Sequence, residues 1–212
     1  MPRPTKHDPE RGDARTRLLE AAQHLIREKG FAATSVDDLC QAAAVTKGSY
    51  FHHFKTKEEL GVAAADYWAE TTTAFFSSAP YHELSDPLDR VLAYIGFRKA
   101  IIAGGLAEFT CLVGTMAQEV HATSPAIRDA CGASIFGHAA TLEADIAEAM
   151  RMRGVSGGWT AQSLARHTQT VIQGAFVLAK AGNDAALARE SLDHLECYFR
   201  LIFGCPDKKE TT

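Results

Sequence analysis

Apolar side chains return every three to four residues along almost the whole chain. Nowhere do β-branched residues alternate with polar ones between hairpin turns. This pattern predicts an all-α protein of amphipathic helices. Glycine, proline and small polar residues divide it into about nine helices, near 13–29, 35–43, 47–54, 57–77, 87–103, from Gly105 on to 121, 125–153, 160–181 and 184–203. Gly30 stands where a left-handed residue closes a helix. Ser35 with Asp38 three positions on reads as a capping box, and Thr46 as an N-cap. Pro80 and Pro87 bracket a loop, Ser124-Pro125 starts a helix, and Gly182-Asn183 parts the last two.

A chain of 212 residues holds one or two domains and buries a core without disulfides or metals. The five cysteines (40, 111, 131, 197, 205) are odd in number, widely spaced and lack a C-x-x-C pair. That argues against a disulfide framework and against a zinc ribbon. No apolar run approaches the ~18–20 residues of a membrane span. The polar start, Met-Pro-Arg-Pro-Thr-Lys-His-Asp, lacks the apolar stretch of a signal peptide. The expected location is therefore cytoplasmic, with no membrane partner.

The net charge of −4 excludes a basic coat protein for nucleic acid, but the charge is unevenly spread. Residues 1–60 hold 10 basic and 9 acidic side chains; residues 61–212 hold 12 and 17. Between 45 and 57 there are three lysines, Lys47, Lys55 and Lys57, and no acid. This basic stretch covers the tight turn after the second helix and the short third helix. Two short helices joined by a turn can form a helix-turn-helix, whose second member projects polar side chains into a major groove about 12 Å wide. Lys47, Gly48, Ser49 and His52 can face outward there, with Tyr50 or Phe51 and Phe54 turned to the core. Gly48 admits close backbone approach, and a helix N-terminus attracts phosphate. The plainer alternative is a small helical subdomain whose polar face is only solvated.

The segment GFAATSVDDLCQAAAVTKGSYFHHFKTKEEL, residues 30–60, resembles the DNA-binding signature of the TetR family of bacterial transcriptional repressors. The matching pieces are G-F-x-x-T-S-V-D-D-L, V-T-K-G-S-x-x-H-H-F and K-x-K-E-E-L, dense over about 13–62. The resemblance implies an all-helical homodimer, with helices one to three for DNA and four to nine for ligand and dimerisation. By position, Thr34 and Ser35 would meet phosphate, and Lys47, Gly48 and Ser49 would sit at the mouth of the recognition helix. His52 and Lys57 would touch the DNA backbone, and Thr46, Tyr50 and His53 complete the contact set. Two positions depart from the pattern. Ala44 stands where the turn usually holds glycine, which strains the turn if φ is positive. Phe51 stands where a tyrosine hydroxyl often meets phosphate. The expected division is a flexible arm at 1–12, in which Arg3, Lys6 and Arg11 could add phosphate contacts, a DNA-binding domain at 13–56, a ligand and dimer domain at 57–204, and a tail at 205–212.

The second half interleaves large apolar residues with glycines, which can leave a cavity between helices. Trp68, Phe75, Phe97, Phe109, Cys111, Met116, Phe136 and His167 are the candidate lining; His121, His138 and Gln173 are further polar candidates. An apolar or partly aromatic inducer would fit. Each large residue on its own is better explained as bundle core. Apolar stripes at Leu164, Thr168, Val171, Ile172, Ala175, Leu178 and Ala179, and at Leu192, Leu195, Phe199, Ile202 and Phe203, can serve an internal core or a partner. The resemblance implies a four-helix homodimer interface from the last two helices of both subunits.

Phe109-Thr110-Cys111-Leu112-Val113-Gly114 is similar to the G-C-L-x-G segment of a TetR subgroup with the repressors of N-ethylmaleimide reductase and of acrylate utilisation. Some members sense electrophiles or oxidants through that cysteine. No Lys or Arg lies within four residues of Cys111 to lower its pKa, which favours an inert or pocket-lining thiol. No H-E-x-x-H, G-x-S-x-G or glycine-rich phosphate loop is present, so neither an enzyme nor a metal or cofactor site is expected. The sequence points to a ligand-responsive repressor on a double-stranded DNA operator, released when a small-molecule inducer fills the second domain. The alternatives are an interaction protein or activator on the same scaffold, or an electrophile sensor acting through Cys111.

Overall fold

The computed structural model describes residues 13–205. The expectations for the arm at 1–12 and for the tail from 206 lie outside the described residues. Ten α-helices follow one another: α1 Ala14–Lys29, α2 Val36–Ala42, α3 Lys47–His53, α4 Lys57–Ser77, α5 Pro87–Ala100, α6 Leu106–Phe109, α7 Leu112–Val120, α8 Pro125–Arg153, α9 Ala161–Gly182 and α10 Ala185–Ile202. A 3-10 turn, Pro80–Glu83, lies between α4 and α5. Among the described residues there is no strand, so the fold is all-α. No helix of the described residues is long and apolar enough to cross a membrane.

Side chains start many of the helices by accepting amide hydrogens that have no partner inside the helix. Asp13 Oδ1 accepts from Thr16 N at 2.7 Å, Thr46 Oγ1 from Ser49 N at 3.1 Å, and Asp184 Oδ1 from Ala186 N at 2.8 Å. Ser35 and Asp38 form a reciprocal capping box: Asp38 N donates to Ser35 Oγ at 3.1 Å and Ser35 N to Asp38 Oδ2 at 2.8 Å.

The ends of α2, α8, α9 and α10 share one geometry. One amide reaches back five residues, as in Val45 N to Cys40 O at 2.9 Å, and the amide before it reaches back three, as in Ala44 N to Gln41 O at 3.2 Å. This Schellman motif needs a left-handed residue just past the helix end. The residues that fill that place are Ala44 (φ 51°), Gly154 (φ 63°), Asn183 (φ 48°) and Gly204 (φ 68°). Ala44 is the exception in chemistry, since glycine and asparagine accept this conformation more readily.

Four expectations change. The helix expected from Gly105 to 121 is two, α6 and α7, because Thr110 takes an extended backbone (φ −76°, ψ 161°). No glycine or proline marks that break. The expected helix at 87–103 stops at Ala100, and Pro80–Glu83 forms a 3-10 turn in place of a plain loop. The last break is made by Asn183, while Gly182 remains helical.

The chain forms two compact units. The first runs to Glu70 and includes Leu112–Gly132; the second comprises Thr71–Cys111 and the chain from Ala133. The α6–α7 break therefore falls where the chain passes from one unit to the other. Leu112–Gly132 lies in sequence within the range expected for ligand and dimer functions.

In the first unit α1, α2 and α3 pack on one another and α7 packs on α1. Leu18, Leu19, Ile26, Leu39, Tyr50 and Leu60 are buried in it. Gly61 on α4 faces Phe31 and Ile127 so closely that a Cβ there would lie 2.7 Å from Ile127 Cδ1 and 2.9 Å from Phe31 Cε2.

The second unit has a continuous core from α5, α8, α9 and α10, including Val91, Ile95, Ile146, Ile172, Leu192 and Phe199. It consumes most of both apolar stripes: Leu164, Thr168, Ile172, Ala175, Ala179, Leu192, Leu195, Phe199 and Phe203 are buried within the chain.

Candidate nucleic-acid interface

Helix α3 is seven residues long and is rooted by two side chains one turn apart. Tyr50 is fully buried, its hydroxyl donating to Thr56 O at 3.4 Å. Burial pushes its phenol up to about 12. Phe54 is buried beneath Arg15, whose guanidinium lies 5.6 Å from the ring centre. With 50 and 54 anchored, the opposite side presents Lys47, Gly48, Phe51 and His52 to solvent, and Ser49 stays half-exposed. Tyr50, not Phe51, takes the core position, and Phe51 is 47% exposed. A Cβ at Gly48 would meet nothing closer than Thr46 Oγ1 at 3.7 Å, so the protein interior does not require glycine there.

Three of the expected DNA contacts are engaged within the protein. Tyr50 is buried. Thr34 is 1% exposed, with its hydroxyl donating to Gly30 O at 2.7 Å, so it holds the loop between α1 and α2. Lys57 turns inward: its ammonium donates to Ala32 O at 3.2 Å and sits 4.5 Å from the Phe31 ring centre. Burial lowers its pKa.

Ser35, Thr46, Lys47, Gly48 and His52 remain exposed, and Ser49 and His53 half-buried. Ser35 shares Asp38 with Lys29, whose ammonium is 2.8 Å from Oδ2; these hydrogen bonds hold the Asp38 carboxyl well below the usual carboxylate range. Lys47 Nζ lies 2.7 Å from Asp37 Oδ1, and Asp37 raises its pKa. Both partners are well exposed, so solvent screens the pair and a phosphate can replace it.

Sequence reasoning missed Glu119. From α7 its two carboxylate oxygens accept Phe31 N at 3.1 Å and Ala32 N at 2.9 Å, closing the α1–α2 loop opposite Lys57. Ser124 at the start of α8 donates to Glu58 Oε1 on α4. These pairs are 88, 87 and 66 residues apart, which no local pattern reveals.

The eight pocket candidates do not share one unit. Trp68, under the Arg27 guanidinium at 5.0 Å, and fully buried Met116 belong to the first. The other six belong to the second, where Phe75 (48%) and Phe136 (62%) are exposed. His167 is also exposed, its ring 5.1 Å from that of Tyr198. Phe97 lies 5.8 Å from Phe76, Phe109 lies 6.0 Å from Phe176, and Cys111 is half-buried against the core.

A polar chain runs through the aromatic residues of this unit. Gln169 Nε2 donates to the Tyr94 hydroxyl at 3.1 Å, leaving the phenol hydrogen for His138 Nε2 at 2.9 Å. Of these three, sequence reasoning named only His138. The missed signal was Gln169, next to Thr168 in the stripe of α9.

A three-helix module with an anchored, outward-facing third helix, joined to a second helical unit, defines a helix-turn-helix protein. Residues 18–64 match the model of bacterial regulatory proteins of the tetR family, and residues 87–191 match the model of the LmrA/YxaF-like transcriptional regulator C-terminal domain. The chain belongs to the TetR family. The transcriptional regulator AcuR of Cereibacter sphaeroides is 28% identical over 114 residues, 54% of this chain and 52% of that protein. The transcriptional repressor NemR of Escherichia coli is 33% identical over 87 residues, 39% of this chain and 41% of that protein. The chain thus matches about half the length of these relatives, or less. A TetR-family regulator from Agrobacterium tumefaciens has the same fold, with a TM-score of 0.76 at 24% identity, over 89% of this chain and 97% of that one.

Proposed function

We propose that this chain is a homodimeric, sequence-specific DNA-binding repressor that leaves its operator when a small molecule occupies its second unit. The observation that carries the reading is the polar N-terminal face of α3, Lys47, Gly48, Ser49 and His52, held outward by buried Tyr50 and Phe54. Two such helices in a dimer address half-sites one DNA turn apart, ~34–36 Å. The dimer interface is the outward face of the last two helices, where Val177, Leu178 and Leu201 are 44%, 55% and 70% exposed. α4 and α8 each have residues in both units, and Glu119 and Glu58 tie α7 and α8 to the loop and helix beside the DNA-binding module. A coupling of ~1–3 kcal/mol through these ties is enough to release a promoter.

The test is fluorescence anisotropy with labelled DNA from upstream of the protein's own gene, at two salt concentrations with excess nonspecific competitor. Competitor-resistant binding that weakens steeply with salt, and that Lys47→Ala or His52→Ala reduces, supports the reading. If no sequence is enriched from a random DNA library either, the reading is overturned.

A further inference from the structure

We propose that the second unit recognises an organic monoanion with a planar aromatic body, an aromatic carboxylate, through the guanidinium of Arg98. The inference rests on reading this unit as the ligand-binding one and names the chemical class it takes.

Arg98 is on α5, one turn after Tyr94. Its guanidinium carbon lies 4.9 Å from the centre of the Phe76 ring and 5.9 Å from that of Phe176. Its Nε is buried and has no hydrogen-bond partner. Among the described residues no carboxylate forms an ion pair with it. Four other arginines of this unit show what is missing. Arg90 on the same helix binds Asp145 at 2.7 Å and also donates to Leu84 O and Ser85 O. Arg153 pairs with Asp86, Arg200 with Glu196, and Arg189 donates to Ile102 O. A guanidinium stays charged at any physiological pH, so a buried N–H without an acceptor is a standing penalty. Such a group in a folded protein calls for an explanation, and a bound acceptor supplies one.

The surroundings select the ligand. Among the described residues no carboxylate pairs with Arg98, and burial, with the Arg98 charge second, holds His138 neutral, down to about 3. The Tyr94 hydroxyl is already engaged with Gln169 and His138. Lys99, the next residue, is committed to Asp193. One unanswered positive charge therefore suits a monoanion better than a phosphate ester. Nε with a terminal N–H forms the planar fork that a carboxylate meets with both oxygens. The rings gathered about Phe76, namely Phe97 at 5.8 Å, Tyr94 at 6.0 Å and Phe75 at 5.3 Å, supply faces and edges for a flat apolar body.

The experiment titrates benzoate, salicylate and cinnamate, each beside its neutral amide, into the full chain by calorimetry and thermal shift. The same panel goes to Arg98→Met and Arg98→Lys, with octanoate as the non-aromatic acid. DNA affinity without ligand checks that each variant is folded. At least one aromatic acid is expected to bind about ten- to a hundredfold tighter than its amide, and Arg98→Met to erase that difference with amide binding unchanged. Arg98→Lys keeps the charge without the fork and gives an intermediate value. Equal binding of acid and amide, unaltered acid binding in Arg98→Met, tighter binding of octanoate, or no binding of any acid overturns the proposal. An acid that binds through Arg98 but leaves DNA bound upholds the site and refutes the inducer reading. Release of DNA by neutral compounds alone does the reverse.

Discussion

Replacing Ala44 with glycine relaxes the turn between α2 and α3. Ala44 holds φ at 51° because the Schellman closure requires a left-handed residue there. The left-handed conformation costs a residue with a Cβ roughly 1–2 kcal/mol. Glycine avoids that strain but loses about 0.4–1 kcal/mol through the wider freedom of the unfolded chain. The Ala44 methyl is exposed, so removing it forfeits little burial. The balance is a gain of about 0.5–1 kcal/mol, or roughly 1–4 °C in Tm for a chain of this size. The assay is thermal unfolding followed by helical circular dichroism at fixed protein concentration, with Ala44→Val as the opposite perturbation. A β-branched residue suits positive φ worse than alanine, so Ala44→Val is expected to lower Tm. If Ala44→Gly melts at or below the parent temperature while Ala44→Val is harmless, the turn carries no strain and the reasoning fails.

The reverse exchange, glycine to alanine, has opposite signs at two positions. Gly48→Ala meets only Thr46 Oγ1 at ordinary contact distance and should raise stability by up to about 1 kcal/mol, while, on the proposed reading, weakening operator binding in anisotropy. Gly61→Ala drives a methyl into Phe31 and Ile127, and its overpacking of about 1–3 kcal/mol outweighs the helix propensity gained; a lower urea midpoint checks it. Glu119→Ala leaves the Phe31 and Ala32 amides without their acceptor and should lower stability by about 1–2 kcal/mol, with faster hydrogen exchange at those two amides. His138 takes up a proton near 6.5 when unfolded but only at about 3 when folded, so the unfolded chain binds more protons between those values. Its neutral form therefore supports the fold above pH 6.5, and acidification to pH 5 removes about 2 kcal/mol. Urea midpoints at pH 7.5 and 5 should show that loss in the parent and a smaller one in His138→Gln.

Much of the architecture is legible locally. The 3.6-residue apolar rhythm, the caps at Ser35 and Thr46, and the Pro125 start each act within a few residues of themselves, so α1 to α4 and α8 lie close to where the pattern puts them. The basic stretch from 45 to 57 and its family motif are likewise contiguous. Orientation and partnership are different, because they depend on surfaces that meet from far apart in the chain. A seven-residue helix has no local reason to bury Tyr50 and expose Phe51; the packing of α3 on α1 and α2 chooses. That Lys57 also donates to Ala32 O is decided by where the α1–α2 loop lies. The break at Thr110 has no breaker residue and follows from the chain leaving one core for another. Glu119, Gln169 and the unanswered Arg98 acquire meaning from neighbours on other helices, and periodicity along the chain carries no information about those neighbours.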